Sequence, residues 1–298
     1  MKQIALSLVL LFGLALSVHA QANGVSVQVT MTQDQFLPDE DVKVVVHVTN
    51  LSGQPLTFGQ DNKWVDFSIQ SENTMPAEKV GNVPVAGVFT LESAQVANKT
   101  YNLTPYFNYR KPGRYRVVAT VNLPQWNKQI SSKPVFFMVM NGITLANVPE
   151  IQFGVPTPEG TTNVAPEVRR YSLQKASYLS ELKLYFRLSD EAGKTLRIFP
   201  LDRMVSFSQP EAQIDRFSNF HVISQTGAKT FTYCEINPFG QILVRQTHEY
   251  TGTRPTLSRD TTGHILVTGG ARRVTARDLP PPTAAISATT QDAEPNKP

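Results

Sequence analysis

From Gly24 the sequence alternates strictly, with Val25, Val27 and Val29 in one register and Ser26, Gln28 and Thr30 in the other. A side-chain period of two belongs to a strand that lays one face on a core and the other in water. This constrains the fold more than any other feature, because such a strand needs both lateral partners and a second layer over its apolar face. A second run follows the turn Phe36-Leu37-Pro38-Asp39-Glu40-Asp41, with Val42, Val44, Val46 and Val48 alternating against Lys43, Val45, His47 and Thr49. Asn50, Ser52 and Gly53 end it with turn chemistry. Further strands are expected at residues 65–70, 88–91, 115–121 and 135–140.

The most diagnostic segment of this half is Lys111-Pro112-Gly113-Arg114-Tyr115-Arg116-Val117, where a Pro-Gly turn delivers a tyrosine to the start of an alternating strand. Residues 21–142, and 24–142 in the quoted pattern, resemble the immunoglobulin-like β-sandwich domains common in exported bacterial proteins. In that family such a tyrosine bonds back to the chain at a corner. The resemblance implies a fold and no particular function, since the sandwich hosts adhesins, chaperones, spacers and inhibitors alike.

Residues 143–166 carry several prolines and little alternation, which marks a linker and the domain boundary. β character resumes over 167–278, with strands expected at 170–176, 181–188, 195–200, 204–208, 219–224, 230–236, 241–247 and 264–268. Tight turns separate them, including Asp190 to Lys194, Thr226-Gly227, Asn237 to Gly240 and Asp260 to Gly263. Two of these units, Asn237-Pro238-Phe239-Gly240 and Asp260-Thr261-Thr262-Gly263, each lead into an aliphatic strand. The rhythm is that of a β-meander resembling a propeller fragment, and about 110 residues are too few for a full propeller. The fold class expected is therefore all-β: a sandwich, a linker, a β-meander domain, and a Pro/Ala/Thr-rich disordered tail at 279–298.

The start of the chain reads as an export signal. Lys2 supplies the positive start, residues 4–18 the apolar stretch, and Val18-His19-Ala20 the cleavage motif, so 1–20 is expected to be removed. That makes the protein extracytoplasmic, in the periplasm or secreted. Cys234 is the only cysteine, which forbids an intrachain disulfide and, being far from the cleavage point, a lipoprotein anchor. No later run reaches the ~20 apolar residues of a membrane span. The formal charge of +4 becomes +3 without Lys2, and the basic residues form no stripe interleaved with aromatics, so no nucleic-acid partner is expected.

Candidate chemistry is sparse. Cys234 sits in an alternating strand and reads as a small buried hydrophobe, although His221 or His248 on a neighbouring strand would be needed to make it a nucleophile. The four histidines of the mature chain, His47, His221, His248 and His264, have no metal-ligand spacing, and neither a metal nor another cofactor is expected. Asp39-Glu40-Asp41 lacks calcium-loop spacing and reads as a solvated turn, while Ala192-Gly193-Lys194-Thr195 lacks the context of a phosphate loop. Asp202, Glu211, Asp215, Glu235 and Glu249 are available as acid–base carboxylates, with nothing to single out a pair.

Exposed aromatics are the remaining signal. Trp64, Tyr106 and Trp126 are the candidate binding residues, with Phe107 and Tyr109 beside Tyr106; the competing reading has the tryptophans plugging the sandwich core. The expected function is a non-catalytic extracytoplasmic binding or scaffolding protein of the bacterial envelope, of the kind found among uncharacterised two-domain exported β proteins. Its partner would be an envelope or extracellular macromolecule, or a second copy completing a sheet as a homo-oligomer. The rival readings are a secreted hydrolase of polysaccharide or peptide, with its site in the second domain, and a proteinase inhibitor built on the first.

Overall fold

The computed structural model describes residues 24–72, 75–156 and 167–280. The export leader at 1–20, the 157–166 part of the expected linker and the tail beyond 280 lie outside the described residues. What is described is almost entirely β structure, and no helix in it is long and apolar enough to cross a membrane.

The alternating valines do what their spacing requires. Strand Val25–Met31 pairs antiparallel with Lys43–Asn50, which pairs in turn with Gln95–Asn102. The second layer is organised by Gly113–Leu123, flanked on one side by Val65–Ser71 and on the other by Val135–Val139 and Lys128–Ser131. The short strand Gln35–Phe36 adds to Val135–Val139 in parallel. Val27, Val29, Val44, Val46 and Val48 from one layer meet Phe67, Ile69, Val117, Ala119 and Val121 from the other in one core. Each fully buried valine contributes roughly 1.5 kcal/mol or more by leaving water. Tyr115 forms the expected corner: its hydroxyl donates to the Lys111 carbonyl at 2.8 Å, closing the Pro-Gly turn against the strand it opens.

The segment read as a linker is partly sheet. Ile143–Thr144 and Ile151–Gly154 both pair with Val168–Tyr178, so the second unit begins at the end of the first with little free chain between. Val168–Tyr178, Glu181–Asp190 and Thr195–Met204 continue as a meander. The last of these is the sheet's outer strand; it absorbs Pro200 opposite Tyr185 and shifts register between Leu184 and Tyr185. The separate strand expected at 204–208 is absent, because the chain turns there, with Ser208 N–H donating to the Val205 carbonyl.

A second meander, Glu211–Ile214, Phe220–Gln225, Thr230–Ile236 and Ile242–Glu249, is closed at its edge by Ala271–Arg273. The two meander sheets face one another: Tyr171, Leu173, Leu184 and Phe186 pack on Phe220, Val222, Cys234 and Ile236. The opposite face of the second sheet is covered by the hairpin Thr256–Arg259 and Ile265–Thr268, through Ile223, Phe231, Tyr233, Leu257 and Ile265. Coverage on both sides explains why Phe220–Gln225 and Thr230–Ile236 are nearly continuous buried runs. The expected single meander sheet is thus two sheets and a hairpin in layers.

Four hairpin turns share one device. Asp190, Asp215, Asn237 and Asp260 each accept, on a side-chain oxygen, the backbone N–H four residues on, from Lys194, Asn219, Gln241 and His264. Each loop then needs a left-handed residue at its fourth position, where three carry Gly193, Gly240 and Gly263, and the Asp215 loop carries Ser218 at φ 64°. Ser218 is held there from outside, its carbonyl accepting Tyr171 Oη–H at 2.8 Å and its hydroxyl donating to the Gly154 carbonyl at 3.2 Å. The two units also meet through a small apolar contact, in which Leu37 from the first is buried against Ala176, Tyr185 and Ile198 of the second.

Candidate functional site

The two tryptophans, far apart in sequence, reach one cleft at an end of the first sandwich. Asn50 prepares one wall. Its buried amide donates to the Gln54 and Leu91 carbonyls, and its side-chain oxygen accepts from Ser52, which fixes the loop leading to Gln54 and Pro55. The strand Leu56–Phe58 follows, paired with Phe89–Leu91. Gly59 then turns the chain at φ 78°, where any Cβ would lie 2.0 Å from the Gly87 carbonyl oxygen, so only glycine fits. The other wall comes from the short 3-10 turn Pro124–Trp126, ended by Asn127 in the left-handed region. Asn122 ties the walls together: its N–H donates to the Trp64 carbonyl at 2.8 Å, and its side chain donates to the Lys63 carbonyl.

The cleft so built has a volume of about 710 Å³. Phe58 and Trp64 line it with Trp126 and Pro124, and Gln54, Gln60, Asp61, Asn122 and Gln125 supply polar groups. Trp64 is only 3 % exposed, and its indole N–H already donates to the Val85 carbonyl at 2.7 Å. It packs tilted or edge-on against Phe58, Phe89 and Tyr101 and forms the floor of the cleft, so the core-plug reading describes it. Trp126 is half-buried and is the aromatic that a ligand can cover. Apolar floor, one accessible ring and several amides make a site for a molecule with flat apolar faces and many hydroxyl or amide groups.

Tyr106 is not part of this cleft. Its backbone carbonyl accepts from Val80 N–H, and its ring is half-buried against the core. The patch expected around it does not form on the surface, because alternation turns Phe107 and Tyr109 inward, where Tyr109 Oη bonds Thr104 Oγ1 at 2.6 Å. The acidic turn is also different from its expected solvated form. Asp39 pairs with Arg110, whereas Glu40 is 3 % exposed, and burial pushes its carboxyl up to about 7.

In the second unit, Cys234 points between the meander sheets and is 1 % exposed, with burial raising its thiol pKa. His221 lies on the opposite face of the same sheet, so no cysteine–histidine pair exists there. His47 is held by Thr30 and Asn98 on an exposed sheet face, and His264 lies beside Asp260 in its turn. His248 is buried, and burial with the nearby Arg272 charge lowers its pKa. His221 meets two carboxylates: its Nε2 is 3.3 Å from Asp215 Oδ2, and Glu235 is its cross-strand partner. The donor atoms of Asp215, His221 and Glu235 lie within 4.8 Å of one another, a set able to ligate a metal ion. Burial works against ionised Asp215, but donors from Asn219, His221 and Phe217 outweigh it and keep its carboxyl below the usual range. All three residues are named by the sequence as separate candidates; what it lacks is the register that brings them together.

No family model matches this chain, and no curated protein matches it. Among solved structures, the sporulation control protein Spo0M of Bacillus subtilis is 14% identical with a TM-score of 0.29, covering 62% of this chain and 91% of its own. The E. coli chaperone DraB is 15% identical with a TM-score of 0.24, covering 59% of this chain and 97% of its own.

Proposed function

We propose that this protein is a non-catalytic binding module of the bacterial cell exterior, and that the Trp126 cleft holds a saccharide chain of an envelope or extracellular polymer. The observation that carries the reading is the convergence of both tryptophans on one cleft whose open side is rimmed by glutamines and an asparagine. A pyranose ring presents an apolar C–H face to an aromatic and a girdle of hydroxyls to amides. The cleft volume of about 710 Å³ also falls in the range of small-molecule sites. Export rests on the leader at 1–20 and on a chain with one cysteine, and it accompanies the binding reading as part of the proposal.

The test is a glycan array followed by calorimetry on the full chain and on Trp126→Ala. Binding of a polysaccharide fragment is expected, weakened at least ~10-fold in the variant, which is about 1.4 kcal/mol. The variant's thermal unfolding should change little, since Trp126 sits at the margin of the core. Failure of the intact protein to bind any glycan, or equal binding by Trp126→Ala, refutes the reading. Fractionation of cells expressing the chain with its own leader tests the location, with a mature terminus at Gln21 expected outside the cytoplasm.

A further inference from the structure

The Asp215, His221 and Glu235 cluster plays no part in the Trp126 cleft and belongs to the other unit. We propose that it binds a divalent transition metal of zinc-like preference, which fastens the Asp215 hairpin loop to the central strand pair of the second meander. Register makes the site. His221 on Phe220–Gln225 stands directly opposite Glu235 on Thr230–Ile236, and Asp215 opens the turn that leads into His221's strand. One strand pair and one turn thus supply a nitrogen and two carboxylate donors, all within 4.8 Å of one another.

The imidazole is already oriented as a metal ligand would be. Tyr233 Oη holds Nδ1 at 2.7 Å, which fixes the ring and leaves Nε2 facing Asp215 Oδ2 at 3.3 Å. That separation is long for a charge-assisted hydrogen bond. It matches the roughly 3.3 Å between two ligands that each sit about 2.0–2.1 Å from a tetrahedral zinc ion. A phenol both donates and accepts, so Tyr233 can serve whichever tautomer leaves Nε2 free for the metal.

Charge points the same way. Among the described residues, neither Asp215 nor Glu235 has a lysine or arginine ion-pair partner, and the Glu235 carboxylate accepts no hydrogen bond. His221 and Asp215 side chains are only 4% and 6% exposed, while Glu235 is half-buried and gives an ion its way in. An imidazole with two carboxylates suits zinc better than calcium or magnesium, which prefer oxygen alone. Three protein ligands leave the fourth position to water.

The test uses the full chain stripped with a chelator, titrated calorimetrically with zinc chloride and, separately, with calcium chloride. Glu235→Gln removes one ligand charge without disturbing a hydrogen bond, and His264→Ala removes the exposed Asp260–His264 pair, which is the rival zinc site on the surface. One equivalent of zinc is expected to bind, with at least ~10-fold weaker binding in Glu235→Gln and unchanged binding in His264→Ala. Zinc at about 100-fold its Kd should raise Tm by roughly 5 °C or more in the wild type. Absence of zinc binding overturns the proposal, as does equal affinity in Glu235→Gln, loss of binding in His264→Ala, or calcium binding as tight as zinc.

Discussion

Glu40 sits at the junction of the two units, in the turn that carries Leu37 into the second. Its Oε2 accepts Leu37 N–H at 2.8 Å and its Oε1 accepts Gln33 Nε2–H at 2.6 Å. Burial nevertheless dominates those bonds and the Lys183 charge, moving the carboxyl from 4.5 to about 7. The folded protein therefore holds this proton more tightly than the unfolded chain does. The resulting stability is complete below pH 4.5 and is lost as pH rises through about 7. At 1.36 kcal/mol per pKa unit, the effect is about 3 kcal/mol. Glu40→Gln keeps an acceptor for Leu37 N–H, and rotation of the Gln33 amide gives its new amino group an oxygen. The variant should match the wild type at pH 4 and exceed it by up to about 3 kcal/mol at pH 8. Urea unfolding of both proteins at pH 4, 6 and 8 measures the difference, in which every other titrating group cancels. A difference that stays constant across this range within about 0.5 kcal/mol would refute burial as the dominant influence on Glu40.

Three smaller perturbations follow from the packing. Tyr115→Phe removes the corner bond to the Lys111 carbonyl and should cost about 1 kcal/mol in denaturant unfolding, against no loss if the turn closes without it. Ser218→Gly should stay within about 0.5 kcal/mol of the wild type, because relief of a left-handed residue offsets loss of the hydroxyl bond to the Gly154 carbonyl, while Gly263→Ala should lose about 1 kcal/mol because its Cβ meets only ordinary contacts and bears the cost of φ alone. Thermal unfolding of the two variants is the check, and a loss for Ser218→Gly as large as that for Gly263→Ala would refute the strain at Ser218. Cys234→Ser should fold and lose roughly 1–2 kcal/mol by burying a hydroxyl, and the native thiol should resist labelling until the protein unfolds; rapid labelling of the folded protein would contradict its burial.

The elements legible in the sequence are those whose own alternation meets a core. Alternation predicts Thr230–Ile236 at those same bounds, and the two valine strands within two residues. It does not predict Gln95–Asn102, which has no strongly buried residue on either face and is held by pairing with Lys43–Asn50. Ile143–Thr144 and Ile151–Gly154 are too short to show a period, and only Val168–Tyr178 makes them strands. The similar Asn237 and Asp260 turns are visible as units, but the Asp215 loop is not, because Ser218 replaces its glycine. The candidate sites divide likewise. Residue type singles out Trp64 and Trp126, whereas the cleft depends on loops ordered by Asn50 and Asn122. Asp215, His221 and Glu235 are ordinary residues until strand register sets them side by side.

The outer strand Thr195–Met204 has a consequence for crowding. An uncovered strand edge invites another chain to extend the sheet, through a regular row of free donors and acceptors. Pro200 carries no N–H, and the extra residue at Leu201, between the pairs Leu184–Asp202 and Tyr185–Pro200, upsets the spacing of the donors that remain. At the far side of the neighbouring sheet, the edge strand Ala271–Arg273 is only three residues long and carries Arg272 and Arg273, ion-paired to Asp278 and Glu249, so the edge there is short and charged. These two edges are thus poor templates for open-ended stacking. In a chain whose one cysteine allows no internal disulfide, each of these two edges carries its own break against self-templated sheet growth.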